Sequence, residues 1–194
     1  ILEEVKEYKI PSFFINHGID EEFLDTPLID RTNDTIKVGY IGNLLRFDID
    51  HYAIKQLINS YPNVEFTFIG NYKTSNINVG NNKEIIKFIE FLKNKKNVSL
   101  WGALPKKEMI KKMAEQDIFL ILYNPNKDNC RGTNYHKVLE YLAIGKTIIS
   151  YPISTYSNLD LIETTTDKVS VNDLFNNVLK NIAHYNSIEN IKKR

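Results

Sequence analysis

The sequence predicts an α/β fold: a parallel sheet with helices on both faces. From Thr35 onward, short apolar runs alternate with amphipathic stretches at helical spacing, the pattern of consecutive βαβ units. One run, Ile118-Phe119-Leu120-Ile121-Leu122, is apolar at both parities, as a strand covered on both faces must be. The 194 residues, 42% hydrophobic and 25% charged, suffice for one domain with a sizeable core plus an extra segment.

The elements follow in chain order. Leu2, Val5 and Tyr8 mark a helix over Leu2 to Lys9, ended before Ile10-Pro11 because proline disfavours a helical residue ahead of it. A short strand at Phe13 to Ile15 and a turn at Asn16-His17-Gly18 come next. Strands are expected at 37–41, 64–69, 98–101, 118–122 and 147–150, with helices at about 50–60, 82–94, 105–115 and 134–144 between them. Glu65 and Thr67 place the 64–69 strand nearer an edge of the sheet. The Asn-, Ser- and Gly-rich stretch from Asn71 to Asn82 reads as a mobile connection. A last strand around Lys168 to Val171 and a helix from Asn172 to Tyr185, capped by Asn172 or Asp173, complete the chain. The change of pattern at Thr35 sets an N-terminal segment over 1–34 apart from an α/β domain over 35–194.

Composition excludes several classes. A net charge of +1, from 25 basic against 24 acidic side chains, supplies no field for nucleic acid, so any phosphate site must be local. Cys130 is the sole cysteine, and no Cys or His pair has zinc-ligand spacing, so neither a disulfide framework nor a metal is expected. No apolar run approaches the roughly 18 to 20 residues that span a bilayer. The chain starts at Ile1 rather than at a methionine, which reads as a piece of a longer protein.

In an open parallel sheet, ligands bind beyond the carboxyl ends of the strands, near the point where strand order reverses. The residues after each run are therefore the candidates. Gly42, Asn43, Leu44 and Arg46 follow the first strand, where free backbone N–H groups could receive a diphosphate and Arg46 could balance its charge; the alternative is a tight turn with a surface arginine. Gly102 follows the third strand, and Tyr123 opens a long polar loop after the fourth. The helix from about Asn134 ends at Gly145, a left-handed cap, with Tyr135, Val138, Leu139 and Leu142 on its apolar face. Lys137 and Glu140, at i and i+3, share its other edge. Glu140 offers paired acceptors to a vicinal diol, and Lys137 near a helix N-terminus suits a phosphate; the alternative is a surface pair worth a few tenths of a kcal/mol. His136 reads as a helix-surface histidine.

With these residues placed, the chain resembles the C-terminal, donor-binding domain of GT-B-fold, family 4-like glycosyltransferases, whose fold is Rossmann-like. The resemblance rests on FINHGIDEEFL (Phe14 to Leu24), VGYIGNL (Val38 to Leu44), VEFTFIG (Val64 to Gly70) with NVSLWGALPKKEM (Asn97 to Met109), and NYHKVLEYLAIGKTIIS (Asn134 to Ser150). It implies that 1–34 is a crossover from a missing acceptor domain and 35–194 the nucleotide-sugar-binding domain. It further implies that Glu140 holds the ribose of a UDP- or GDP-sugar, that Lys137 and the Gly42 turn face its diphosphate, that Gly102 and its neighbours, with Tyr123, border the base, and that Asn134 is a further nucleotide-sugar contact. It implies no cofactor and no required metal. It also implies a glycan or lipid-linked acceptor held by a domain outside this sequence, through which any peripheral membrane contact would run, and a cytoplasmic setting at or near the inner membrane face. Two positions depart from the family pattern: Gly132 stands eight residues before Glu140, where many members have a glutamate, and Asn43 stands where many have an arginine. A non-catalytic binding or assembly domain and a GT-B sugar-nucleotide epimerase are the alternative readings.

Overall fold

The computed structural model describes residues 8, 11, 13, 15, 17–26, 35–73, 83–127 and 135–194. The helix expected over Leu2 to Lys9, the stretch 74–82, Cys130, Gly132 and Asn134 lie outside the described residues, apart from Tyr8.

Six parallel strands form one sheet in the order β3-β2-β1-β4-β5-β6: β1 Lys37–Ile41, β2 Glu65–Ile69, β3 Val98–Leu100, β4 Ile118–Ile121, β5 Thr147–Ser150 and β6 Glu163–Thr164. The helices are α1 His51–Ser60, α2 Lys83–Lys93, α3 Lys106–Ala114, α4 Lys137–Ile144, α5 Val171–Lys180, α6 Ile182–Tyr185 and α7 Ile188–Lys193. Strand order reverses between β1 and β4, which is the switch point where a doubly wound sheet opens a crevice. The alternation of apolar runs thus builds the expected Rossmann-like architecture. β4 is buried along its whole length in the interior of the sheet, and β2 lies next to the edge strand β3.

Register explains why helices cover both faces. Val38 pairs with Phe66 and with Ile118, while Gly39 pairs with Thr67 and with Phe119, so Phe66 and Phe119 point to opposite faces. On one face Phe175 of α5 packs on Phe66 and on Tyr61 after α1, with ring centroids 6.2 and 4.9 Å apart. On the other, Tyr141 of α4 stacks on Phe119 at 4.1 Å. Its hydroxyl crosses to β1, accepting from Ile41 N–H at 2.9 Å and donating to Ile41 C=O at 3.3 Å. This contact fastens α4 over the switch point. The buried face of α4 is Val138, Tyr141, Leu142 and Ile144, with Tyr135 and Leu139 only half-buried.

Three expectations need correction. The last strand is β6, at Glu163–Thr164, rather than Lys168 to Val171. There the chain is already turning into a helix: Thr166 and Val169 close an isolated antiparallel bridge, and Ser170 caps α5 by accepting from Asp173 N–H at 3.2 Å. The helix expected over Asn172 to Tyr185 is broken at Asn181, and α7 follows it. Phe13 and Ile15 are exposed and stand in no strand; Phe14 between them lies outside the described residues.

Candidate functional site

The carboxyl edge of the sheet is laced together by its backbone. Gly42 N–H donates to Ile69 C=O at 2.9 Å, Leu44 N–H to Asn71 C=O at 2.9 Å, and Gly70 N–H to Gly102 C=O at 2.7 Å. The approach is so close that a Cβ at Gly70, where φ is +144°, would stand 1.8 Å from the Gly42 oxygen. The three strand-end glycines therefore act as a unit. They do not offer a row of free donors: Gly42 and Leu44 spend their N–H groups on the neighbouring loop, and Leu45 N–H is taken by Asn43 Oδ1 at 3.0 Å. Leu44 is fully buried and anchors the turn in the core.

Arg46 is held in place rather than projecting freely. It binds Asp48 through both guanidinium and carboxylate, with Nε to Oδ1 at 2.8 Å, and lies 4.4 Å above the Tyr123 ring. Asp48 is almost wholly buried, and this pair raises the Arg46 pKa further. Tyr123 leans on Tyr135 at 4.9 Å, and the loops meet again where Asp50 N–H bonds Leu122 C=O at 2.8 Å and Asn124 N–H bonds Asp48 C=O at 2.7 Å. Beneath them Tyr40 is buried, and loss of water pushes its phenol well above the ordinary range.

The first turn of α4 places Lys137 and Glu140 side by side, Nζ to Oε2 at 2.6 Å, both largely shielded, at 19% and 17% exposure. Glu140 lines a cleft of about 440 Å³ with His136, with Gly18, Ile19 and Phe23 of the N-terminal segment, and with Leu104, Lys106 and Met109 at the start of α3. The N-terminal segment docks there because Phe23, on a 3₁₀ turn Glu21–Phe23, is buried in the core, and because Lys106 binds Asp20 and lies 3.7 Å from Glu22. The cleft lining mixes apolar side chains, Ile19, Phe23, Leu104 and Met109, with the polar Asp20, Lys106, His136 and Glu140, a combination that suits a base and its ribose. A larger hollow, about 600 Å³, lies between residues 22–26 and the outer face of α3. Its lining includes no residue of α4, whereas the smaller cleft carries Glu140 of α4 and His136 just before it, which makes the smaller cleft the better site for chemistry.

Sequence reasoning had singled out Glu140, Lys137, Arg46, Tyr123, Gly42, Asn43, Leu44 and Gly102. The structure sets Glu140 and His136 on the cleft wall, Gly102 two residues from Leu104 on that wall, and Arg46 on Tyr123 beside it. The contribution of Ile19, Phe23 and Met109 was missed. The available signal lay in Asp20 and Phe23 of the FINHGIDEEFL stretch, the one bound to Lys106 and the other buried.

No family model matches the sequence, and no curated protein matches it. Solved structures do. A glycosyltransferase from Rickettsia africae superposes with a TM-score of 0.65 at 11% identity over 99% of this chain. The fold is that of a GT-B half. Anabaena HepE in complex with UDP and glucose superposes at 0.55, with 17% identity over 81% of the chain. UDP-GlcNAc 2-epimerase from Neisseria meningitidis, bound to UDP-GlcNAc, superposes at 0.50, with 14% identity over 98%. This chain spans 53%, 41% and 46% of those three proteins. Among the described residues no helix is long and apolar enough to cross a membrane, and no group of three or more His, Cys, Asp or Glu side chains could hold a metal.

Proposed function

We propose that this GT-B half binds the nucleoside-diphosphate part of a UDP- or GDP-sugar and serves a glycosyltransferase that passes the sugar to a glycan or lipid-linked acceptor. The single observation that carries the reading is Glu140 on the first turn of α4, over the switch point and on the wall of a cleft that also offers the apolar side chains of Ile19, Phe23, Leu104 and Met109. Its free carboxylate oxygen accepts from the ribose diol, and the base lies toward Leu104, Met109 and Ile19. Transfer breaks the bond between the sugar's anomeric carbon and the diphosphate, and the leaving charge falls near Lys137, Arg46 and the N-terminus of α4. The acceptor, its activation and any membrane contact belong to a partner domain. That two of the superposed proteins were seen with UDP or a UDP-sugar supports the nucleotide; one being an epimerase means that fold alone does not select transfer.

Titration with UDP, GDP and their sugars, followed by chemical shifts or melting temperature, tests the reading. Binding weakened about tenfold to a hundredfold in Glu140→Ala is the expected result, and no response from any of them at millimolar concentration overturns it. A second reading, a non-catalytic domain that kept the fold, is favoured by one observation: both cations nearest the diphosphate position, Arg46 and Lys137, are already paired with carboxylates. Unchanged activity of the full-length protein carrying Glu140→Ala would decide for it.

A further inference from the structure

His136 lines the cleft and His17 meets it from the docked segment, and the nucleotide reading gives neither a role. His17 precedes Gly18 on the docked segment, and His136 precedes Lys137 at the start of α4; their rings meet edge to face at 6.0 Å and 75°. Both side chains are solvent-exposed, so the core gives no reason for their meeting. We propose that His17 and His136 close on the diphosphate of the bound nucleotide and that His136 takes up a proton as it does so, a role that rests on the cleft being the nucleotide site.

Charge around the pair supports this. The groups facing His136 are Lys137 and Glu140 on its own helix, His17 on the docked segment and Arg46 on the loop after β1. Lys106 and Asp20 also line the cleft and are paired with each other. Shielding by the cleft walls is the main influence on His136, followed by Lys137, and together they set its pKa below the ordinary value against the pull of Glu140. Without ligand, His136 is thus mainly neutral at pH 7. A diphosphate brought within hydrogen-bond reach reverses the balance, because a nearby anion favours the imidazolium. Binding then raises the imidazole pKa. Affinity is highest on the acidic side, falls as pH rises through the bound-state pKa, and levels off above it. A nucleoside without phosphates gains nothing from the pair.

Calorimetric titration of the 194-residue chain with UDP and GDP, at about pH 6 and about pH 8, tests the inference against the double variant His17→Asn/His136→Asn. One charge-assisted bond is worth about tenfold to a hundredfold in affinity. We expect at least about a tenfold gain in the original chain on going to the lower pH, lost in the double variant, with uridine and guanosine indifferent to pH in both. The terminal phosphate of the ligand also titrates in this range, but equally for both proteins, so the difference between them is the reading. Both imidazoles are exposed, and an unchanged melting temperature of the ligand-free variant verifies the fold. Equal affinity at both pH values, or a pH dependence that survives in the double variant, overturns the proposal while nucleotide binding stands. Absence of nucleotide binding at either pH overturns the nucleotide reading itself, and the histidine role with it.

Discussion

Replacing Glu140 by alanine separates a ribose-binding carboxylate from a surface ion pair. In the ligand-free chain its Oε2 is held by Lys137 at 2.6 Å, which leaves one oxygen for the ribose. At least one charge-assisted hydrogen bond to the diol is then lost, about 1.5 to 3 kcal/mol, or roughly tenfold to a hundredfold in UDP affinity. The same substitution removes only an i,i+3 pair from the free protein, so its stability should fall by no more than about 0.5 kcal/mol. Calorimetry with UDP and with 2′-deoxy-UDP reads the carboxylate directly. The original chain should prefer the ribonucleotide, and the Glu140→Ala chain should bind both with the same reduced affinity. Retention of the preference in the variant would refute the assignment, since the diol would then be read by some other group.

Three further outcomes test the frame around the site. Gly70→Ala brings a Cβ to 1.8 Å from the Gly42 oxygen at a φ of +144°, and should destabilise the chain by about 3 kcal/mol or more in urea unfolding; a midpoint shift below about 1 kcal/mol would show that the lacing is loose. Tyr141→Phe strips the buried Ile41 N–H of its 2.9 Å acceptor, and should lower stability by about 1 to 3 kcal/mol, with an unaltered unfolding curve counting against the tie between α4 and β1. His51, stacked on Phe88 at 4.1 Å, has its pKa lowered by burial to about 4, against the pull of Glu84. Its folded pKa is depressed below the unfolded value, so the neutral ring favours the fold above about pH 6.5 and that advantage is lost as pH falls toward about 4. Between about pH 7 and pH 5 the chain should lose about 2 kcal/mol more than His51→Phe does; parallel losses in the two would remove His51 as the cause.

Strands whose side chains are buried on both faces could be read directly, because Ile118 to Leu122 leaves no polar face to mistake for anything else. One helix start was legible from its cap, since Asp50 accepts from Ala53 N–H at 2.9 Å and begins α1 as expected, whereas α5 is capped by Ser170 and not by Asn172 or Asp173. β6 was not legible, since Glu163 and Thr164 form a two-residue edge strand with neither apolar run nor alternation. Residue type singled out Glu140 and Lys137 as candidates but could not disclose that Arg46 is spent on Asp48, because that pairing depends on a loop held by Asp50, Leu122 and Asn124. Likewise Asn43 reads as a ligand contact in sequence and serves as an acceptor for its own turn in space.

The position of Glu140 is decided by groups that never approach the cleft. Next to it in sequence, and about 100° further round the helix, Tyr141 fixes α4 to β1. At the other end, Gly145 takes a left-handed φ of +76°, and Ile191 of α7 packs so closely that a Cβ there would stand 2.6 Å from it. Arg194 then donates to Gly145 C=O at 3.2 Å and to Tyr185 C=O at 2.9 Å. The helix is thus pinned at the switch point and at its C-terminus, by β1 and by the last helix of the chain. A carboxylate that must meet a diol within hydrogen-bond tolerance needs such a support, because a displacement of about 1 Å would forfeit most of the bond. An ordinary surface pair needs none of it.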